Sequence, residues 1–180
     1  DYKPLHALCR FFLEHTGPSH EFGDHKTLPF LVNMERLYEL FVAEWLKAHL
    51  PASFELSVQE KIDVGENHAL TFKIDLVLYD NASWNAVCVT DTKYKTGDKP
   101  TPEDVAQIVT YAEMKNCAQA VLIYPAPLTV PFDEVVGKIR VRGMNFSLKG
   151  DLDESGQSFL QDLLETINSD SEKVIYHRKV

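Results

Sequence analysis

Apolar residues recur along this chain with two periods, and the changes between them lay out the elements. Behind Pro4, the residues Leu5, Leu8, Phe11 and Phe12 make a helical stripe, so the spacing predicts a short helix over residues 4–15, stopped by Thr16-Gly17-Pro18. Asn33 is placed to cap a second helix running from Met34 to about Leu50, where Pro51 ends it. Its apolar face is read as Met34, Leu37, Tyr38, Phe41 and Trp45. From Phe54 the period shortens to two, which predicts strands over residues 54–64, 70–79 and 87–95. The stretch between the last two carries turn residues at both ends and predicts a hairpin. Thr101-Pro102-Glu103-Asp104 has the cap, the first-turn proline and the acid of a helix start, followed by Val105, Ile108, Val109 and Ala112. Residues 118–124 form an unbroken apolar run, as in a central strand covered on both sides. A further strand over 138–148, a last helix marked by Phe159, Leu160, Leu163, Leu164 and Ile167, and a short strand at Val174-Ile175-Tyr176 complete the reading.

Two of these strands carry a carboxylate where a core residue is expected. Asp75 interrupts Lys73-Ile74-Asp75-Leu76-Val77-Leu78, and Asp91 interrupts Val87-Cys88-Val89-Thr90-Asp91-Thr92-Lys93. Residues two apart on a strand point the same way, so Val87, Val89, Asp91 and Lys93 are expected on one face. The hairpin brings Asp75 near Asp91 and Lys93. Two carboxylates about 4 Å apart repel by roughly 4 kcal/mol at an effective dielectric near 20. A divalent cation offsets that repulsion, and an all-oxygen site selects a hard one such as Mg²⁺. Taken alone, an acid and a lysine two apart are more often a structural ion pair than a site. Glu35 and Glu39, one turn apart on the second helix, read in isolation as the solvated rim of an amphipathic stripe.

Composition narrows the field further. A chain of 180 residues with 44% hydrophobic and 25% charged residues fits one globular domain burying roughly 70% of its unfolded surface. No apolar run reaches the ~20 residues of a membrane span, and no signal-peptide pattern opens the chain. Because the first residue is Asp1 rather than Met, a fragment of a longer protein is expected. Cys9, Cys88 and Cys117 lie far apart, and no two histidines have the spacing of a helical zinc site. This argues against zinc ribbons, iron–sulfur clusters and disulfide scaffolds, and for a reducing, cytoplasmic compartment. A net charge of −9 argues against holding nucleic acid by the overall field and leaves room for a local basic track. Lys138, Arg140 and Arg142 recur with period two, and Lys95 and Lys99 follow the third strand; these are candidates for phosphate contacts or simply a solvated strand edge. Trp84, in the hairpin turn, is read as a packing residue rather than a base-stacking one.

Taken together, the acids on the first core helix and on strands two and three, the lysine two beyond Asp91, and a helical Gln-x-x-x-Tyr form an ordered set. With Glu39, Ile74-Asp75, Asp91-Thr92-Lys93 and Gln107-Ile108-Val109-Thr110-Tyr111 in that order, the sequence resembles the PD-(D/E)XK nuclease superfamily. Within it, Leu37-Tyr38-Glu39-Leu40-Phe41-Val42 and Asp91-Thr92-Lys93-Tyr94-Lys95 look most like the McrC nuclease subunits of modification-dependent McrBC restriction systems. The resemblance runs from about residue 30 to 124. It implies an α/β, restriction-endonuclease-like core, an α-β-β-β-α-β mixed sheet flanked by helices at about residues 30–125. Residues 1–29 and 126–180 are then additions to a single nuclease domain.

For the site, the resemblance implies Mg²⁺, with Mn²⁺ as a substitute, held by Asp75, Asp91 and the main-chain carbonyl of Thr92. Glu39 would complete the cluster directly or through water, with Glu35 as the fallback one turn away. Lys93 would orient the attacking water or carry charge at the scissile phosphate, and Gln107 and Tyr111 would order the site. Ile74 stands where the superfamily name has proline, and Asp91 where many members have glutamate. The implied activity is endonucleolytic cleavage of DNA, performed with a GTP-hydrolysing AAA+ partner of the McrB type. This sequence contains no phosphate-binding Gly-x-x-x-x-Gly-Lys-Ser/Thr loop of its own. Two other functions compete: a RecB-like exonuclease or repair nuclease, and a catalytically silent nuclease fold kept as a scaffold that docks an NTPase.

Overall fold

The computed structural model describes residues 32–95 and 97–177, with side chains up to residue 167. The helix predicted over residues 4–15 lies outside them. The stretch Asn33–Val180 makes one compact unit. Its described elements run α1 (Met34–His49), β1 (Phe54–Val64), a single 3₁₀ turn at Glu66–His68, β2 (Leu70–Asp80), β3 (Ala86–Thr92), α2 (Pro102–Met114), β4 (Gln119–Tyr124), β5 (Asp133–Val136), β6 (Ile139–Asn145) and α3 (Leu152–His177). They form a mixed α/β fold: one six-stranded sheet in the order β1-β2-β3-β4-β6-β5, and three α-helices. None of the described helices is long and apolar enough to cross a membrane.

β1, β2 and β3 pair antiparallel as two hairpins, β3, β4 and β6 run parallel, and β5 returns antiparallel to β6. A parallel neighbour needs a crossover, and α2 supplies it between β3 and β4. Every residue of β4 is buried, as its unbroken apolar run requires. α1 and α2 start where the sequence places them. The Asn33 side chain accepts from the Arg36 backbone N–H at 3.0 Å, and Thr101 and Asp104 form a reciprocal capping box.

The two faces of the sheet bury separate cores. Tyr38, Val42, Trp45 and Leu46 of α1 pack with Phe159 and Leu163 of α3 on one face, while Ile108, Tyr111 and Ala112 of α2 cover the other. α1 and α3 meet closely enough that a Cβ on Gly156 would lie 2.3 Å from the Trp45 ring.

Several expectations need correction. The buried side of α1 is turned away from Met34 and Leu37, which are 39% and 49% exposed, toward Val42 and Leu46. Glu35 and Glu39 align with those two at helical spacing and so approach the sheet end. β3 stops at Thr92, so Lys93, Tyr94 and Lys95 lie beyond the strand. Val87 packs on the α1 side and Val89 on the α2 side, because the β2–β3 register shifts at Leu78/Tyr79. The strand over residues 133–136 has no apolar alternation to betray it, and its four residues are all exposed. Val174-Ile175-Tyr176 belongs to the end of α3 rather than to a strand. A helix already running from Leu152 carries the backbone through these β-branched and aromatic residues, whose own preference is weak against it.

A further irregularity sits at Asp75. The β1–β2 ladder omits the Gln59/Asp75 pair, and Gln59 has φ 56°. Leu56, Val58, Leu76 and Leu78 pack on the α1 side of the sheet, whereas Ile62, Phe72 and Ile74, at the same parity, pack on the α2 side. The pleat therefore changes sides at this point.

Candidate active site

The middle of β2, the end of β3 and the starts of α1 and α2 meet around a polar cavity of about 500 Å³. β3 brings Asp91 to it as the continuation of a buried strand, and the carboxylate is only 4% exposed. Asp75 arrives from the interrupted ladder of β2. Its Oδ2 accepts from the Thr92 backbone N–H at 3.1 Å and from the Thr92 hydroxyl at 3.2 Å, which ties the middle of β2 to the end of β3. The main chain then leaves the strand while still attached to the sheet, since the Lys93 N–H donates to the Ile123 carbonyl at 2.8 Å. Tyr94 lies against Tyr38 of α1, with ring centroids 5.9 Å apart.

Lys93 is the hub. Its Nζ lies 2.6 Å from Asp91 Oδ2 and 3.6 Å from Asp104 Oδ1, and it donates to Gln107 Oε1 at 2.8 Å. The orientation of that amide is fixed by Gln107 Nε2, which meets the Tyr111 hydroxyl at 3.0 Å one turn on. Gln-x-x-x-Tyr therefore works as a unit: tyrosine aims the glutamine, and the glutamine oxygen faces the ammonium.

Charge in this cavity is frustrated. Burial pushes the Asp91 carboxyl up to about 6, and the neighbouring Asp75 pushes the same way against the pull of Lys93. Burial alone would lower the Lys93 ammonium, but Asp91, Asp104 and Asp75 outweigh it and hold it above the ordinary lysine value. Asp104 is held below the ordinary carboxylate range. Its burial works upward but is overcome by Lys95, whose ammonium pairs with Oδ2, and by donors from Thr101.

The other expected residues fall in different places. Glu39 lines the cavity, but its Oε1 accepts from Arg36 Nη1 at 2.7 Å, and Glu35 lines the rim. Lys95 is on Asp104, and Lys99 is exposed on the loop before α2. Lys138 is exposed at the β5–β6 turn. Arg140 and Arg142 alternate with Ile139 and Val141, which face α2, so they sit on the opposite side of the sheet from Asp91. Both bond Asp133, Arg140 through two contacts of 2.7 and 2.8 Å and Arg142 at 3.2 Å. Trp84 is 63% exposed, with Tyr79 as its ring neighbour at 6.2 Å.

The sequence reading passed over Arg36, and it saw Asp104 as a cap alone. Asp104, Gln107 and Tyr111 stand three and then four residues apart, the spacing of one helix face, and that signal was available.

The donors presented to the cavity by Asp75, Asp91 and Glu39 are all oxygen, the set that suits a hard cation. Among the described residues, however, no three acidic, histidine or cysteine side chains stand close enough together to hold a metal ion as placed. Asp91 is engaged by Lys93 and Glu39 by Arg36. Comparison with curated proteins finds no match. The family model described as McrBC 5-methylcytosine restriction system component matches residues 1–125.

Proposed function

Since the chain belongs to the family of McrBC 5-methylcytosine restriction system components, we propose that the acid-lined cavity is the phosphodiester-cleaving centre of an McrC-like subunit, built on a PD-(D/E)XK nuclease core. The observation that carries this reading is the convergence of Asp75 from the middle of β2 with Asp91 and Lys93 at the end of β3, the ammonium 2.6 Å from Asp91. Hydrolysing a DNA phosphodiester needs a water made nucleophilic at neutral pH and relief of the charge gathering on the phosphate.

Asp75 and Asp91 would hold Mg²⁺, or Mn²⁺ in its place, with the Thr92 carbonyl and, directly or through water, Glu39; Glu35 is the alternative acid. The fit rests on donor chemistry and on charge: Asp91 ionises reluctantly beside Asp75, and a cation relieves both its burial and that repulsion. When bound, such an ion supplies activated water and neutralises phosphate charge.

The remaining work falls to the side chains. Lys93, freed from Asp91, aims its N–H groups at the attacking water or at a non-bridging phosphate oxygen, a contribution of about 10²–10³ in rate for one electrostatic donor. Gln107 and Tyr111 keep it pointed there. Lys95, which lines the cavity, and Lys99, exposed on the loop before α2, would serve as phosphate contacts. With Lys138, Arg140 and Arg142 elsewhere on the molecule and a net charge of −9, productive binding depends on delivery by a GTP-hydrolysing AAA+ partner of the McrB type.

The test is cleavage of methylated and unmethylated plasmid with and without Mg²⁺, partner and GTP. Cleavage that needs Mg²⁺, and that Lys93→Ala abolishes without altering the fold or partner binding, supports the reading. Equal cutting by parent and Lys93→Ala refutes the site. Degradation of linear but not closed circular DNA would point to a RecB-like exonuclease instead, and an intact complex that cuts nothing would point to a scaffold.

A further inference from the structure

We propose that Asp104 is a positioning residue for Lys93: a second carboxylate that keeps the ammonium in the site when Asp91 turns to a cation. The inference rests on the nuclease reading above.

An acid at the third position of a helix is ordinarily a solvated cap, yet Asp104 is 7% exposed. Its two oxygens divide their work. Oδ2 takes the Thr101 backbone N–H at 3.1 Å and the Lys95 ammonium, the structural duty of a cap and loop tie. Oδ1 faces Lys93 at 3.6 Å, on which the cap makes no demand. The Lys93 ammonium has three N–H donors. Gln107 takes one at 2.8 Å, Asp91 Oδ2 stands in ion-pair contact at 2.6 Å, and Asp104 Oδ1 lies within ion-pair distance at 3.6 Å.

Binding a cation at Asp91 removes the strongest of these partners and places a like charge beside the ammonium. Gln107 remains but is neutral, and charge-assisted hydrogen bonds are roughly twice as strong as neutral ones. Asp104 is the remaining anion in reach on the α2 side.

The charge of Asp104 is also felt at the end of β4. The Tyr124 hydroxyl, on a residue 1% exposed at the end of β4, finds no hydrogen-bond partner among the described residues. Burial raises its phenol, and the fields of Asp104 and Asp91 add to the rise.

Two measurements on the full chain test this. In the cleavage assay, Asp104→Asn, which keeps an oxygen for the cap, lowers kcat about tenfold or more, as loss of an outer partner does, and leaves KM for DNA in place. Thr101→Ala, which breaks the cap but leaves the Asp104 charge and its Lys93 and Lys95 neighbours in place, lowers the melting temperature by a few degrees and keeps kcat. Lysine-Cε-labelled NMR without metal or DNA supplies the second readout. The Lys93 resonance, assigned by its loss in Lys93→Arg, stays displaced from the free-lysine position in Asp91→Ala and reaches that position in Asp91→Ala/Asp104→Asn. Unchanged kcat in Asp104→Asn, or a Lys93 resonance already free in Asp91→Ala, overturns the proposal. A parent chain that cuts no DNA under any condition removes the nuclease reading, while the resonance still decides the case for Asp104.

Discussion

Asp91→Asn should make the protein more stable as it destroys the site. The wild-type carboxyl titrates at about 6 against an ordinary 3.8, chiefly because it is buried. At 1.36 kcal/mol per decade of acidity, ionising it at neutral pH costs the fold about 3 kcal/mol. Asparagine keeps the shape and discards the charge, at the expense of the counter-charge to Lys93. The expected gain at pH 7 in chelator is thus about 2–3 kcal/mol, a shift of about 1 M in the urea midpoint at a typical slope. The sign reverses the usual carboxylate case. A raised carboxyl contributes stability that is complete below 3.8 and is lost as pH rises through about 6, so parent and variant should converge in acid. Other carboxyls titrate alike in both proteins, and the difference between the two curves isolates this one. Mg²⁺ at a hundredfold over its dissociation constant should return about 2.7 kcal/mol to the parent and little to the variant. The reasoning fails if Asp91→Asn is no more stable than the parent at pH 7 without metal, or if the gap between them is the same at pH 4.

The other predictions concern the frame. Gly156→Ala drives a methyl to within 2.3 Å of the Trp45 ring and should cost about 1–3 kcal/mol, visible as a lower melting temperature; an unchanged one would mean that α3 slides freely on α1. Burial pushes the Glu60 carboxyl up, but Lys115 and Tyr79 outweigh it and hold it below its ordinary range. Its contribution is therefore present above the ordinary carboxylate value and lost as pH falls through the depressed one. Glu60→Gln should flatten that acid limb in urea titrations, and an identical limb would exclude this cluster as its source.

Where one physical signal decided an element, the sequence was enough. The period-two strands, the asparagine cap and the Thr101–Asp104 box all lie within a few residues of their prediction, because each is a local matter of pattern and hydrogen bonding. Asp75, Asp91 and Lys93 could be foreseen as neighbours because a hairpin and a strand end bring them together. What could not be read depended on distant parts of the chain. The face that α1 buries is chosen by its contact with α3, so Met34 and Leu37 were misjudged as core. Arg140 and Arg142 were correctly given a common face, but no pattern within β6 says which side of the sheet that is. β5 exists as a strand by pairing with β6, and α3 overrides the β-like composition of its last turns. The second duty of Asp104 was masked by its first, since a capping acid already explains itself.

The missing rung at Gln59 and Asp75 bears on how the protein tolerates change. Most substitutions in β1 that regularise its backbone would be expected to improve the sheet. Here an even pleat continued from Leu76 and Leu78 would carry Phe72 and Ile74 out of the α2 core to the α1 side of the sheet. The more regular strand would bury the wrong residues, and the interruption beside Asp75 is what lets one strand serve two cores.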